Sequence, residues 1–275
     1  MIVNYFRPKT IEEIAKIKQD TGGVLFSGGT DLFVKLRANT IKTDTVIDTK
    51  YIEKIPVELK SELIIPLNTT YSEIREILEQ KKQFSPLVEI IKTIGSPMIR
   101  NRGTPIGNLG NASPAGDFLL ACYLYDAEVT IEPTKRKCHI SDFIKGPGKV
   151  DLSREEFIYA VKIPNLDGYE YYFEKVGRRN AMIISIVSLG ILLKRNQNKI
   201  EDIRIAYGSV APTIVRFKDI ERSLIGKELT LEMFEEIAKE YQHRVNPITD
   251  VRASKEYRKK LVYNLLLKAY NHFKI

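Results

Sequence analysis

Two glycine-containing stretches hold the residues through which this 275-residue chain could bind a phosphorylated ligand. The first, Ser27-Gly28-Gly29-Thr30-Asp31-Leu32, follows the apolar run Val24-Leu25-Phe26 and leads into Phe33-Val34-Lys35-Leu36-Arg37. Read as strand, loop and helix start, it aims free backbone N–H groups and the positive end of a helix at one point, which suits an anion. The second runs from Thr93 to Asp117 and is dense in Gly, Pro, Asn and Ser, yet it carries Ile94, Met98, Ile99, Ile106 and Leu109. A long loop too apolar for a linker usually holds something. Its small residues let backbone approach a ligand closely, Arg100 and Arg102 add positive charge, and Asp117 can accept hydrogen bonds from hydroxyls. Either stretch alone also fits a tight connection. Together they meet the needs of a nucleotide diphosphate with a sugar or ribityl arm.

The elements that must position these stretches alternate between helix and strand. Thr10 and Glu13 form a capping box that opens a helix to Gln19 with Ile11, Ile14 and Ile17 on one face, stopped by Gly22 and Gly23. Strands are expected at 24–26, at Val46-Ile47 and at Leu63-Ile64-Ile65. Thr70 and Glu73 repeat the capping signature ahead of a stripe of Ile74, Ile77 and Leu78. Ser85-Pro86 begins another helix through Ile91, and Ser113-Pro114 begins one that carries Asp117 in its early turns with Phe118, Leu119, Leu120 and Leu124 as core. Strands at 128–131 and 157–163 surround the Gly146-Pro147-Gly148 turn. Pro164-Asn165-Leu166-Asp167-Gly168 is the clearest break and divides the chain into residues 1–166 and 167–275. Beyond it come three β-rich runs, Tyr169–Val176, Met182–Leu193 and Ile203–Val210, and then helices over Leu231–Tyr241 and Lys255–Tyr270. That order indicates a sheet backed by helices, an α+β layer.

Composition narrows the chemistry. The two cysteines, Cys122 and Cys138, cannot supply the four ligands of an iron-sulfur cluster or a structural zinc site, and His139, His243 and His272 form no ligand pattern. Metal chemistry is therefore not expected here, and Cys122 reads as a small buried hydrophobe. The net charge of +8 is spread among 35 acidic residues with no basic stripe interleaved with aromatics, so a solvated surface is expected and nucleic acid is not. The longest nearly apolar run, from Ala181 to Leu193, is too short for a membrane span, and the chain reads as cytoplasmic.

Ser-Gly-Gly-Thr-Asp-Leu at 27–32, Ile-Gly-Ser-Pro-Met-Ile-Arg-Asn-Arg-Gly-Thr at 94–104 and Asn-Ala-Ser-Pro-Ala-Gly-Asp at 111–117 resemble the FAD-binding subunit of the molybdenum hydroxylases. That group includes xanthine dehydrogenase, carbon monoxide dehydrogenase and the aldehyde oxidoreductases. The likeness continues through Gly-Pro-Gly-Lys at 146–149, Glu-Lys-Val-Gly-Arg-Arg-Asn-Ala at 174–181, Gly-Ser-Val-Ala-Pro-Thr at 208–213 and Asp-Val-Arg-Ala-Ser-Lys-Glu-Tyr-Arg at 250–258, and so covers essentially the whole chain. It implies an α+β fold: a two-subdomain FAD-binding domain of the vanillyl-alcohol-oxidase type at 1–166, with subdomains of about 1–57 and 58–166. A small C-terminal domain at 167–275, with a three-stranded antiparallel sheet and helices, would follow.

The resemblance also implies site residues. Ser27, Gly28, Gly29, Thr30, Asp31 and Leu32 would form the turn that holds the FAD pyrophosphate through main-chain N–H groups, with Thr104, Gly107 and Asn108 flanking it and Leu25, Phe26 and Asn111 also contacting the cofactor. Asp117 would hold ribityl or ribose hydroxyls, Ile94 and Ile158 would contact adenine or flavin, and Lys175 would lie near the isoalloxazine ring. No nucleophile with a base and no catalytic pair stands out, which fits electron transfer. The expected partners are a large molybdopterin-binding subunit and a small [2Fe-2S] subunit, with NAD or another acceptor receiving the electrons. A free-standing FAD-dependent reductase like UDP-N-acetylenolpyruvoylglucosamine reductase, and a flavin-poor assembly subunit, are the alternatives.

One loop departs from the family pattern. Related subunits usually read Thr-Ile-Gly-Gly-Asn where this chain reads Thr104-Pro105-Ile106-Gly107-Asn108. Pro105 has no N–H for a phosphate, and Ile106 is branched where glycine would permit close approach. Weaker FAD binding is expected if that donor matters. If Pro105 lies outside the phosphate shell, it stiffens the loop instead.

Overall fold

The computed structural model describes residues 2–179 and 184–274. The chain opens with β1 (Asn4–Phe6), α1 (Ile11–Thr21), β2 (Val24–Phe26), α2 (Leu32–Arg37) and β3 (Thr45–Asp48). Next come β4 (Glu58–Leu59), β5 (Glu62–Pro66), α3 (Tyr71–Leu78), α4 (Ser85–Lys92), α5 (Pro97–Arg100), α6 (Pro105–Asn111) and α7 (Asp117–Leu124). They are followed by β6 (Glu128–Glu132), β7 (Lys137–His139), α8 (Ile140–Phe143), β8 (Ile144–Gly146), β9 (Lys149–Val150) and β10 (Phe157–Pro164). The last stretch holds β11 (Glu170–Val176), β12 (Val187–Asn196), β13 (Lys199–Gly208), β14 (Val215–Arg216), α9 (Lys218–Leu224), α10 (Leu231–Arg244) and α11 (Lys255–Phe273).

These elements sort into two units. One comprises Met1–Ile77, Gly95–Asn111 and Asp126–Pro164; the other comprises Leu78–Ile94, Ala112–Tyr125 and Asn165–Ile275. The chain thus passes from the first unit to the second at Pro164, and two earlier segments, carrying α4 and α7, belong with the second.

The first unit contains a parallel sheet in the order β1-β3-β2 and an antiparallel sheet in the order β4-β5-β10-β6-β7. The helix α1 is capped as its sequence predicts: Thr10 Oγ1 accepts from the Glu13 N–H at 3.2 Å, and Gly22 closes the other end in the left-handed region at φ 66°. The second capping box also forms, with the Thr70 N–H donating to Glu73 Oε2 at 2.8 Å. Its expected stripe needs correction, because Ile77 is 40% exposed while Tyr71, Ile74 and Leu78 are buried. At 100° per residue those three share one face and Ile77 falls at its edge.

The stretch 93–117 is not one continuous loop. It winds into α5, capped by Ser96 Oγ on the Ile99 N–H at 3.2 Å, and into α6. The helix expected to begin at Ser113-Pro114 begins instead at Asp117. Residues 113–116 make a turn in which the Gly116 N–H donates to Ser113 O at 2.9 Å, and the Pro114 carbonyl accepts from the Ser209 N–H at 2.9 Å.

The second unit is built on the antiparallel sheet β11-β12-β13-β14, in which the two-residue β14 joins the three long strands. The start of the strand expected at Met182 lies outside the described residues. From Val187 to Leu193 every residue of β12 is buried, because the sheet is covered on both faces. Leu189, Ile191 and Leu193 join Phe234, Ile237 and Leu266 of α10 and α11 in one core. On the other face a Cβ at Gly190 would meet the terminal methyls of Leu124 and Leu120 of α7 at 2.5 and 2.8 Å, so any side chain there would have to push those leucines aside. All eight residues of α7 are buried, as an all-round apolar helix requires. Its ends are held electrostatically. Asp117 stands in the first turn, and Arg216 and Arg204 donate to the terminal carbonyls of Tyr123 and Leu124 at 2.8 and 2.9 Å. Among the described residues no helix is long and apolar enough to cross a membrane.

Candidate cofactor site

In the first unit the Ser27–Leu32 turn sits at the end of β2, where the chain leaves the parallel sheet. Phe26 is buried, its ring meeting Phe33 edge-on at 4.8 Å and the Lys50 ammonium at 3.2 Å. Thr49 Oγ1 lies within 3.1 Å of two carbonyl oxygens, those of Phe26 and the Asn68 side chain, so its proton goes to one of them. The Ser27 hydroxyl, 3.0 Å away, must then donate to Thr49, which leaves its own lone pairs facing outward from that bond. Gly29 adopts φ 74°, and its carbonyl accepts from the Phe33 N–H at 3.3 Å to start α2.

Gly28 brings this turn against the second glycine-containing stretch. A Cβ there would lie 2.0 Å from the Arg102 carbonyl oxygen and 3.0 Å from Gly103 Cα, so the two backbones touch only because residue 28 has no side chain. Thr104, buried beside this contact, caps α6 by accepting the Gly107 N–H at 3.0 Å. Pro105 occupies the first position of α6, where an N–H would have no helical partner anyway, and Ile106 is buried. Within this helix Asn108 Oδ1 is a buried acceptor with no hydrogen-bond donor among the described residues. At the far end Asn111 Oδ1 accepts from Lys35 Nζ, which also pairs with Asp31 at 3.0 Å. The half-exposed Asp31 carboxylate thus pairs with a lysine of its own helix. Ile158 is buried on β10, 3.9 Å from where a Gly110 Cβ would stand.

In the second unit the structure brings together two residues that sequence reasoning treated separately. Asp117 Oδ2 lies 2.5 Å from Lys175 Nζ, and the side chains are only 5% and 7% exposed. Lys175 projects from β11 and also donates to the Thr93 carbonyl at 3.4 Å, next to Ile94, which is half-buried. Burial pushes the Asp117 carboxyl above the ordinary carboxylate range, with the Lys175 charge opposing that shift. The other carboxylate oxygen, Oδ1, is buried with no donor among the described residues. Thr49 and Asn68 complete the first unit's cluster, and no motif in the sequence marked them; Arg102, singled out for its charge, meets the turn through its backbone carbonyl.

Comparison with known proteins gives this geometry a family. Residues 1–166 match the FAD binding domain in molybdopterin dehydrogenase, and residues 171–273 match the CO dehydrogenase flavoprotein C-terminal domain. The glyceraldehyde dehydrogenase medium chain of Sulfolobus acidocaldarius is 29% identical over 97% of this chain and 96% of its own length. The xanthine dehydrogenase FAD-binding subunit of Escherichia coli O157:H7 is 26% identical over 96% of this chain and 94% of its own. In fold, a chain of the Hydrogenophaga pseudoflava carbon monoxide dehydrogenase superimposes with a TM-score of 0.91 at 23% identity, covering 98% of this chain and 96% of that one. A chain of quinoline 2-oxidoreductase from Pseudomonas putida 86 gives 0.92 at 19% identity, covering 99% and 96%. The chain belongs to the family of FAD-binding domains of molybdopterin dehydrogenases, and it is an FAD-binding medium subunit of an oxidoreductase of the xanthine and carbon monoxide dehydrogenase type.

Proposed function

We propose that this chain is the FAD-carrying electron relay of a three-part molybdenum hydroxylase. A small [2Fe-2S] subunit delivers electrons to it, a large molybdopterin-binding subunit oxidises the organic substrate, and NAD or another acceptor takes the electrons away. We read residues 1–166 as the FAD-binding domain and 167–275 as the C-terminal domain, in a cytoplasmic complex. The relatives support the subunit arrangement, since those of similar length are named medium chains and FAD subunits.

When bound, a flavin accepts electrons singly and delivers them in pairs, and the protein's part is to hold and tune it. The observation that best supports this reading is the pair of buried acceptors without donors among the described residues, Asp117 Oδ1 and Asn108 Oδ1, both at positions the family motifs select. Buried acceptors are normally satisfied, and ribityl or ribose hydroxyls are donors of the right kind. The turn at Leu25, Phe26, Ser27, Gly28, Gly29, Thr30, Asp31 and Leu32 offers main-chain N–H groups to the diphosphate, with Gly28 setting how close the backbone of 102–103 comes. Thr104 and Gly107 bond to each other, so from α6 the Asn108 carboxamide is the group that faces the ligand. Asn111 is tied to Lys35 and orients it. Ile94 and Ile158 supply apolar contact, and Lys175 brings positive charge near the flavin ring while holding Asp117 in place.

Affinity purification from the source cells, followed by mass spectrometry, tests the assembly. Two companions should appear, one with cysteines enough for iron-sulfur clusters and one binding molybdopterin. The pure single chain should pass electrons from NADH to a dye slowly and should hydroxylate neither a purine nor an aldehyde. Robust hydroxylation by the single chain would overturn the proposal.

A further inference from the structure

Arg258 lies in the first turns of α11 and is 2% exposed. A buried guanidinium must be paired and hydrogen-bonded to be tolerated. Arg258 Nη2 donates to Asp250 Oδ1 at 2.7 Å, and Nη1 donates to the carbonyls of Ile186 and Ser209, the latter at 3.0 Å. Asp250 is itself fixed by the backbone N–H groups of Arg252 and Ala253, at 2.9 and 3.2 Å.

The two carbonyls lead in different directions. Ser209 sits at φ 65°, a conformation that a non-glycine residue holds only when its surroundings fix it, and its N–H donates to Pro114 O at 2.9 Å. Pro114 belongs to the turn that ends at Asp117. Ile186 donates its N–H to Val176 O at 2.7 Å, one residue beyond Lys175 on β11. A single guanidinium therefore reaches, through one residue on each side, the backbone that carries both members of the Asp117–Lys175 pair. A lysine in its place has one ammonium, which cannot hold two carbonyls and a carboxylate with the same fixed fork.

We infer that Arg258, anchored by Asp250, is a positioning residue that sets the geometry of the Asp117–Lys175 pair through Ser209 and Ile186. This inference rests on the proposed role of Asp117 toward FAD. It assigns work to the Asp-Val-Arg-Ala-Ser-Lys-Glu-Tyr-Arg segment at 250–258, which lies far along the chain from the residues proposed to meet the cofactor.

Two measurements on the full chain test it. The first is FAD titration by flavin fluorescence at a temperature where each variant keeps the wild-type circular dichroism spectrum. Arg258→Lys should weaken FAD binding about tenfold in the wild-type background and leave it nearly unchanged in an Asp117→Ala background, the non-additivity expected of residues acting as a unit. The same loss in both backgrounds would overturn the inference. The second measurement needs no cofactor: the 13C signal of the Asp117 carboxyl is followed against pH in the FAD-free protein. Arg258→Lys should displace its titration, and Asp250→Asn should displace it in the same direction and serves if the arginine variant does not fold. An unchanged titration in a folded variant would overturn the inference. If the wild-type chain takes up no FAD, the proposed function fails while the carboxyl titration still decides this point.

Discussion

Lys175 Nζ lies 2.5 Å from Asp117 Oδ2, joining β11 to the first turn of α7 inside the second unit. Removing one partner of a buried pair strands the other charge, so Lys175→Met should cost about 3–5 kcal/mol in urea denaturation at pH 8. The Asp117 pKa is raised above its ordinary value of 3.8, so the folded state holds that proton more tightly than the unfolded state does. This carboxyl's contribution to stability thus falls as pH rises from 3.8 through the folded value. Without Lys175 the folded value moves higher still, and the loss should be smaller at pH 5 than at pH 8. A loss that does not change with pH would show that Asp117 does not titrate in this way.

Gly28 and Gly110 give opposite predictions for the same substitution. At Gly28 a methyl group would collide with the Arg102 carbonyl, and backbone cannot step aside cheaply. Gly28→Ala should destabilise by roughly 1–3 kcal/mol and weaken FAD binding. At Gly110, inside α6, the methyl would meet among the described residues only Ile158 Cδ1 at 3.9 Å, an ordinary contact. Gly110→Ala should be stabilising by about 0.5–1 kcal/mol through helix propensity. Thermal melts of the two variants check both signs.

Acid should act on the first unit through Glu156. Two donations from the Arg136 guanidinium, at 2.7 and 2.9 Å, hold its carboxyl well below the usual range, at about 2. The folded pKa is depressed from 4.5, so this stabilisation is complete above pH 4.5 and disappears as pH falls toward 2. Arg136→Gln should therefore be less stable than wild type at pH 7, and the gap should narrow by pH 3. Urea denaturation at the two pH values measures it, and a gap of constant size would contradict the assignment.

The substitution of Pro105 and Ile106 for the usual family residues has a structural reading. Pro105 opens α6 where no N–H is required, and Ile106 is 4% exposed in the core. Pro105→Ile combined with Ile106→Gly should cost at least about 2 kcal/mol by emptying that core position, with no gain in FAD affinity. Tighter FAD binding by the double variant would show instead that the proline deprives the phosphate of a donor.

Much of the local structure was legible because its signals are local. Thr10 with Glu13 and Thr70 with Glu73 cap helices where the sequence places them, and Gly22 ends α1 as a left-handed cap. β12 falls within the run read from sequence as β-rich, and it is buried from Val187 to Leu193 because both faces of its sheet are covered. What the sequence could not convey is which helix does the covering. Nothing local says that α7, more than sixty residues earlier, lies on Gly190, or that Ser209 bonds to Pro114 and so ends the 113–116 turn before the helix starts. The same holds at the candidate site. Asp117 and Lys175 were each singled out by resemblance, yet their ion pair depends on tertiary packing that joins positions 58 residues apart. Ile77 was misplaced because a three-residue step and a four-residue step along α3 both satisfy a helical pattern, and only packing selects Leu78 for burial.

The most direct test of the central claim is titration of the FAD-free chain with FAD, read by flavin fluorescence and by the shift in melting temperature. The wild-type chain should bind one FAD and melt at a higher temperature when loaded, because a ligand that binds only the folded state stabilises it. Asp117→Ala should weaken that binding by about 1–3 kcal/mol, the cost of leaving a buried hydroxyl donor without its acceptor. A chain that neither quenches flavin fluorescence nor melts later in the presence of FAD would contradict the account at its root.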